Sequence, residues 1–290
     1  MENDTNRGEI IKEEIHLQLK LYLLSFLIIF SISWFIPGML LLYFILGFFT
    51  PIVLGSENII VVFTHFEPLV IILITPLVFI GCYLLHLLLT ALATRWLWQY
   101  TEKKSPSKDG VIPRNIRSKT SDFYHMRSFM IKYPKNAFIK GPFPWLANWL
   151  FNFVGTNKIG KGTTIEEQVC ADRFIEVGKN CYIGVNSVLT SHLVDGIFGN
   201  ISYFKIKLGD NVTFVGLNCI ASGTEIGDNS YLLPFACTGK HNVLKGDNYY
   251  FGIPLRKIFK KKIIEYLDLT KEHLEKENEL KQKQVPEQDE

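Results

Sequence analysis

Residues 206–232 read IKLGDNVTFVGLNCIASGTEIGDNSYL. Leu208, Phe214, Ile220, Ile226 and Leu232 recur at every sixth position. The beat continues through Thr238 to Leu244. On the N-terminal side of an irregular stretch it runs through Ile159, Ile165, Ala171, Val177, Ile183 and Leu189, with Ala171 and Thr238 its weak members. The next residue is often Gly, as at Gly160, Gly178, Gly184, Gly209 and Gly227. Four residues after the apolar position the side chain is usually small, as at Thr163, Cys181, Ser187, Asn218, Thr224, Ser230 and Ala236. A fixed period of six is the signature of a parallel β-helix. Each hexad is a short strand plus a turn, and three hexads close one triangular coil. The apolar residue points inward and stacks on its equivalent one coil away, and the small residue fits the narrow interior. Gly and Asn at the corners, as in Gly178 to Asn180 and Gly227 to Asn229, tolerate positive φ. A two-sheet sandwich does not explain so strict a period with strands of no more than about five residues.

Working outward, the apolar residues before the coils are gathered in the first hundred positions. Residues 1–20 are polar, with Ile10, Ile11, Ile15 and Leu17 marking a short amphipathic lead-in helix. The following apolar run is too long for a secretory signal and lacks an evident cleavage site. Leu21 to Phe49 is almost uncharged over 29 residues, more than the roughly 20 that cross a bilayer. Pro37-Gly38 divides it, into either one kinked span or a re-entrant hairpin, and the kinked span is the preferred reading. Thr50 to Pro68 follows as a connection. Leu69 to Trp98 is a second span, ending in Arg95, Trp96 and Trp98. Lys103, Lys104, Lys108, Arg114, Arg117 and Lys119 come next, so the positive-inside rule puts this side and both termini in the cytoplasm. His86 lies within the second span, where an ionisable side chain is either functional or a neutral link between helices.

Residues 101–156 read as linker and interfacial segments. Phe123, Met126, Phe129, Met130 and Tyr133 form the apolar face of a helix within Asp122 to Lys140. Residues 141–154, GPFPWLANWLFNFV, are too short to span and read as an interfacial helix or a cap on the open end of the solenoid. The β-helix domain occupies 157–254. Its beat slips between Leu189 and Leu208, 19 residues apart where 18 would keep phase, so residues 192–207 are a loop thrown out from the coils. Residues 255–290 read as a helix with an apolar face, then a polar disordered tail.

Several stretches resemble the left-handed β-helix of hexapeptide-repeat acyltransferases: KIGKGT (158–163), IEVGKNCYIGVNSVLTSH (175–192), TEIGDNSYLLP (224–234) and YYFGIP (249–254). A closer resemblance is to the membrane-embedded domains that end non-ribosomal peptide synthetases of the poly-lysine synthetase type. It is carried by VGTNKIGKG (154–162), SHL (191–193) and LKGDNYYFGIP (244–254), and covers roughly residues 70–256. Left-handedness is implied by the resemblance and not by the period. The fold class is therefore a membrane α-helical anchor followed by an all-β left-handed parallel β-helix and a C-terminal helix.

The chemistry follows the resemblance. SHLVDG (191–196) is similar to the family's NHRxDG pattern, and His192 matches its general base. A histidine near neutral pKa suits removal of a proton from an amine or hydroxyl that attacks a thioester. Asp195 or Glu176 would orient the imidazole, and Asp195 is carried with His192 as a catalytic residue. The plainer reading leaves His192 capping a turn. The family holds its donor's pantetheine arm between subunits. Gly223, Lys240, Lys245, Arg256 and Lys257 are the matching donor-binding residues here. The implied co-substrate is acyl-CoA or a carrier-protein thioester, with a small-molecule acceptor and no tightly bound cofactor. The implied assembly is a homotrimer on a lipid bilayer.

Other classes fare less well. The formal net charge of +3 gives no electrostatic case for nucleic acid, and none is expected as a partner. Cys82, Cys170, Cys181, Cys219 and Cys237 form no C-x-x-C pair and read as small buried hydrophobes. His192 and His241 are the coil region's only histidines, short of the three that zinc needs in a γ-class carbonic anhydrase, so no metal is expected. A non-catalytic membrane-anchored scaffold is the alternative to the enzyme.

Overall fold

The computed structural model describes residues 19–114, 116, 118–166, 173–196, 199–259, 261, 262, 264, 270 and 275. The expected lead-in helix and polar tail fall almost wholly outside these residues, as do Ala171 and Cys170. The chain divides into two units. One comprises residues up to Ile159 together with Ala171–Glu176 and Ser191–Lys205. The other comprises Gly160–Cys170, Val177–Thr190 and the chain from Ile206.

In the first unit, α1 (Leu19–Phe44) continues into a π-helical stretch, Ile45–Leu54. After it come α2 (Ile59–Thr64) and α3 (Phe66–Lys104). The expected connection over 50–68 is thus largely helical. Asn58 caps α2, accepting from the amides of Ile60 and Val61, which satisfies two orphan donors. Leu19–Leu54 and Phe66–Lys104 are each long and apolar enough to cross a membrane, by length and composition. They pack against each other through few residues: α1 buries Ser25, Ile29, Ser33 and Pro37, and small residues of α3 such as Thr90, Ala91 and Thr94 are buried. The buried hydroxyls return to their own helix, Thr90 Oγ1 to His86 O at 2.8 Å and Thr94 Oγ1 to Thr90 O at 2.7 Å. That removes the penalty of burying them unpaired. Many other Leu, Ile and Phe side chains of both helices stay exposed, although Leu87, Leu97 and Trp98 of α3 are buried.

Pro37 does not break α1. Proline lacks the N–H that would bond the carbonyl four residues earlier, here that of Ser33. The Ser33 carbonyl lies 3.3 Å from His86 Nδ1 of α3. The His86 ring also stacks on Trp34, with centroids 4.0 Å apart, and its Nε2 lies 3.4 Å from the Tyr133 hydroxyl. The buried histidine thus links two helices at the carbonyl that the proline leaves without its usual donor.

Beyond α3 the expected linker contains a strand, Gly110–Pro113. Helices α4 (Lys119–Met130), α5 (Lys132–Ile139) and α6 (Ala147–Val154) follow. The expected apolar face of α4 packs on α1, with Phe129 4.8 Å from Tyr22. Of the residues buried most fully, Met130 belongs to that face, while Ser121, Tyr124 and Arg127 lie on another stripe. Both sides of the helix are used, which apolar periodicity alone does not reveal. The Asn152 side chain of α6 binds both the amide and the carbonyl of Ile159, at 2.7 and 2.9 Å.

The expected loop over 192–207 is a β-hairpin. His192–Asp195 and Asn200–Tyr203 pair antiparallel, and Gly110–Pro113 adds to Asn200–Tyr203 as a third strand. One face carries Ile112, Ile201 and Tyr203 into a small core with Tyr124 and Phe174.

In the second unit the six-residue beat forms parallel coils. Thr164 pairs with Tyr182, Thr213 with Tyr231 and Tyr231 with Tyr249, each 18 residues on. Thr213 also pairs with Tyr182 across 31 residues, an excess of 13 that accommodates the hairpin segment. Thirteen is one more than two hexads, which accounts for the phase slip. Ile183, Phe214, Leu232 and Tyr250 stack as one interior column. Buried Asn218 is satisfied, donating to Leu233 O at 2.7 Å and accepting from the Gly216 amide at 3.1 Å, whereas the buried Ser222 hydroxyl has no partner among the described residues. The corners have positive φ at Asn180 and Asn186, then at Asn211, Leu217, Asn229, Phe235, His241 and Asp247. The hexad at Thr238 forms only an isolated bridge, Cys219 to Cys237. Cys82, Cys181, Cys219 and Cys237 are free thiols.

A helix does not start at Leu255. The chain reverses through residues 252–255, and Arg256–Ile258 pairs antiparallel with Tyr249–Phe251. This covers the outer edge of Tyr249–Phe251, whose amides and carbonyls would otherwise lack partners. Helical backbone is found at residues 261, 262 and 264.

Candidate active site at the root of the hairpin

His192 opens the hairpin and is half-buried. In register it lies opposite Tyr203, so both side chains share one face of the sheet. Tyr124 of α4 is packed on that face. Its ring meets His192 edge to face with centroids 6.2 Å apart, and meets Tyr203 in the same way at 5.3 Å. Ser191, just before His192, donates from its hydroxyl to Arg173 O at 2.9 Å. The root of the hairpin is thereby tied to the segment carrying Arg173.

The Arg173 side chain enters the same cluster. Its Nη2 donates to the Tyr124 hydroxyl at 3.1 Å, and the guanidinium carbon lies 4.8 Å from the Tyr124 ring centroid. Arg127 of α4 is also buried, and it is fully engaged: Nη1 lies 3.0 Å from Glu102 Oε1 and donates to Ser105 O at 2.6 Å. Burial pulls the Arg127 guanidinium down from its usual range, Arg173 adds to that, and Glu102 opposes it. Burial pushes the Tyr203 hydroxyl up, against the opposing pull of Arg173, Ser107 and Arg127. His125 is held below the ordinary histidine value by burial first, then by Arg114 and Arg173, with Asp122 acting the other way.

Both expected orienting carboxylates have other partners. Strand alternation puts Asp195 on the opposite face, where it accepts from the Ser202 hydroxyl at 2.7 Å. Glu176 forms ion pairs with Lys205 at 2.9 Å and Lys158 at 3.1 Å. The Lys205 hydrogen bond is the main cause that holds the Glu176 carboxyl below its usual range. Tyr124, Arg173 and Tyr203 were not legible as site residues. Nothing in their spacing marks them, because three separate segments bring them together.

The expected donor residues lie in the coil unit. Gly223 has φ +76° and sits beneath His241, one coil on. Lys240 and Lys245 are exposed, and the Lys245 carbonyl accepts from the Tyr250 hydroxyl at 2.8 Å. Exposed Arg256 and Lys257 face Phe251 and Tyr250 in the closing strand pair. Among the described residues there is no cluster of three His, Cys, Asp or Glu that could hold a metal ion.

Residues 175–197 and 205–232 match the family described as hexapeptide repeat of succinyl-transferase. No curated protein matches the chain. Among solved structures it is similar to a maltose O-acetyltransferase from Clostridium difficile 630, 24% identical over 37% of this chain and 59% of that one, with a TM-score of 0.29. It is also similar to AntD, an N-acyltransferase from Bacillus cereus solved with dTDP and 3-hydroxybutyryl-CoA. That match is 17% identical over 43% of this chain and 82% of that one, with a TM-score of 0.27. A hexapeptide-repeat acetyltransferase from Vibrio cholerae, solved with acetyl coenzyme A, is 21% identical over 37% and 61%, with a TM-score of 0.28. The chain thus spans about three fifths of the first of these proteins.

Proposed function

We propose that the protein is a membrane-anchored acyltransferase that uses His192 as general base. The observation that carries this is the position of His192. It opens a hairpin inserted between regular coils, on the face that packs on Tyr124. A rigid scaffold that extrudes one ordered excursion is a natural place for chemistry, and the SHLVDG resemblance gives the same residue the same role. The coil repeat and its match to the succinyl-transferase hexapeptide family support the transferase class.

In the reaction, the acceptor's amine or hydroxyl attacks the thioester carbonyl. His192 takes the proton that the acceptor loses. The carbon–sulfur bond breaks as the new amide or ester bond forms, and the departing thiolate regains a proton as the free thiol. The donor is coenzyme A or a carrier-protein thioester. Gly223, Lys240, Lys245, Arg256 and Lys257 remain its proposed contacts in a left-handed, trimeric β-helix, as the family resemblance implies. The likeness to the poly-lysine synthetase domains rests on the quoted motifs and favours an amine acceptor.

The membrane reading rests on the exposed apolar faces of Leu19–Leu54 and Phe66–Lys104. Lys103 and Lys104 in the last turn of the second helix, with Lys108 after it, support a cytoplasmic side for the coils by the positive-inside rule. The test is thiol release from acetyl-CoA by detergent-purified protein, with a panel of amines, amino acids and sugars. Release that depends on an acceptor is expected. Its absence with both coenzyme A and carrier-bound donors would favour the scaffold.

A further inference from the structure

Arg173 is the most conspicuous charge in the first unit. Its residue exposure is 3%, yet among the described residues no carboxylate pairs with it. Its guanidinium meets the Tyr124 hydroxyl and the faces of Tyr124 and Tyr203, and its buried Nε–H has no acceptor. Burying a cation is costly unless it is paired and hydrogen-bonded. Neighbouring Arg127 shows what a purely structural buried arginine looks like in this cluster, with both a carboxylate and a backbone carbonyl as partners. Among the described residues Arg173 has neither, and Arg114 adds a further positive charge around His125.

The position of this unfilled donor is informative. Tyr124 touches both Arg173 and His192, and the Arg173 carbonyl holds Ser191. An anion on Arg173 would therefore lie beside the imidazole proposed to deprotonate the acceptor. The guanidinium presents Nε–H and its remaining Nη protons as a planar fork, a geometry that matches a carboxylate.

We infer that Arg173 is the receptor for a carboxylate on the acceptor, so that the acceptor class is an amino acid or hydroxy acid. This deepens the acyltransferase reading and rests on it for the word acceptor. The binding claim stands by itself. A phosphate of the thioester donor offers the same charge, and the test separates the two sources.

The experiment uses the full chain in detergent and measures binding by calorimetry and thermal shift. Probes are the amino acids and lactate, each beside its carboxamide, with inorganic phosphate and coenzyme A as separate arms. The proteins are wild type, Arg173→Gln and Arg173→Lys. For the best probe, the wild type should bind the carboxylate at least about tenfold tighter than its amide, the scale of one charge-assisted pair. Arg173→Gln should abolish that preference while leaving amide and coenzyme A binding unchanged. Arg173→Lys keeps the charge without the fork and covers the case in which Arg173→Gln does not fold. It should retain the wild-type melting temperature and lose most of the preference. Equal binding of carboxylate and amide, or no binding of either, overturns the inference. So does an equal loss of both in the variants, which would mark a structural role, and so does a phosphate or coenzyme A affinity that tracks Arg173. Carboxylate preference without any acyl transfer would keep the receptor and sink the acyltransferase. Transfer indifferent to the carboxylate would do the reverse.

Discussion

The Tyr124 ring and the His192 imidazole meet edge to face with centroids 6.2 Å apart, while the same tyrosine's hydroxyl accepts from Arg173 at 3.1 Å. One α4 side chain therefore fixes both the proposed base and a buried cation. Tyr124→Phe keeps the ring and deletes the acceptor. It should destabilise the protein by about 1–3 kcal/mol, the cost of leaving a buried donor unsatisfied. The midpoint of chemical unfolding in detergent reads this directly, and an unchanged midpoint would show that the hydroxyl bond contributes nothing.

His125 supplies a pH dependence. Its folded pKa lies below the ordinary value of 6.5, through burial first and then Arg114 and Arg173. Below 6.5 the unfolded chain therefore binds a proton that the folded protein refuses. The stability contribution is fully present above 6.5 and falls away as pH drops from there through the folded value. Melting curves collected between about pH 5 and pH 8 should show this loss in wild type. In His125→Gln that part of the acid-side slope should be missing. The same slope in both proteins would contradict the assignment.

In the coils, the Asn218 side chain occupies donor and acceptor groups of Leu233 and Gly216. Asn218→Ala leaves the Gly216 amide without its partner, while the Leu233 carbonyl keeps the Ala236 amide, and should cost about 1–3 kcal/mol. Phe214→Ala, in the apolar column, should cost about 3–5 kcal/mol by opening a cavity. Retention of the wild-type unfolding midpoint by either variant would argue against the stacked interior.

Gly223 combines φ +76° with a close neighbour: an added Cβ would lie 2.5 Å from His241 Nδ1. Gly223→Ala should lower stability by about 1–2 kcal/mol through the left-handed backbone alone. The double variant with His241→Ala should recover the steric share and keep the backbone share. Full recovery would show that the ring, not the backbone, sets the cost.

The coils were legible because a period of six needs no long-range information. Ile183, Phe214 and Leu232 declare the same inward direction wherever the chain goes. The slip between Leu189 and Leu208 likewise announced an excursion. Its hairpin form was hidden, because the third strand comes from Gly110–Pro113, some eighty residues earlier. At Pro37 the sequence left a kinked span and a re-entrant hairpin both open; helix α1 continues through it, and His86 of α3 lies at the carbonyl that the proline frees. Asp195 looked like a partner for His192 through closeness in sequence. Three steps along a strand reverse the face, and Ser202 engages it there. Arg173 and Tyr124 carried no signal, since their meeting depends on tertiary packing alone.

The central claim is that His192 is the base of an acyl transfer. The measurement is acceptor-dependent thiol release from acetyl-CoA by wild type and by His192→Gln, with matched melting temperatures and with a carrier-bound donor as the second substrate form. Loss of a general base should lower the rate by about 10²–10⁴ without changing donor affinity. A His192→Gln enzyme that releases thiol at the wild-type rate, with the same acceptor dependence, would contradict the account.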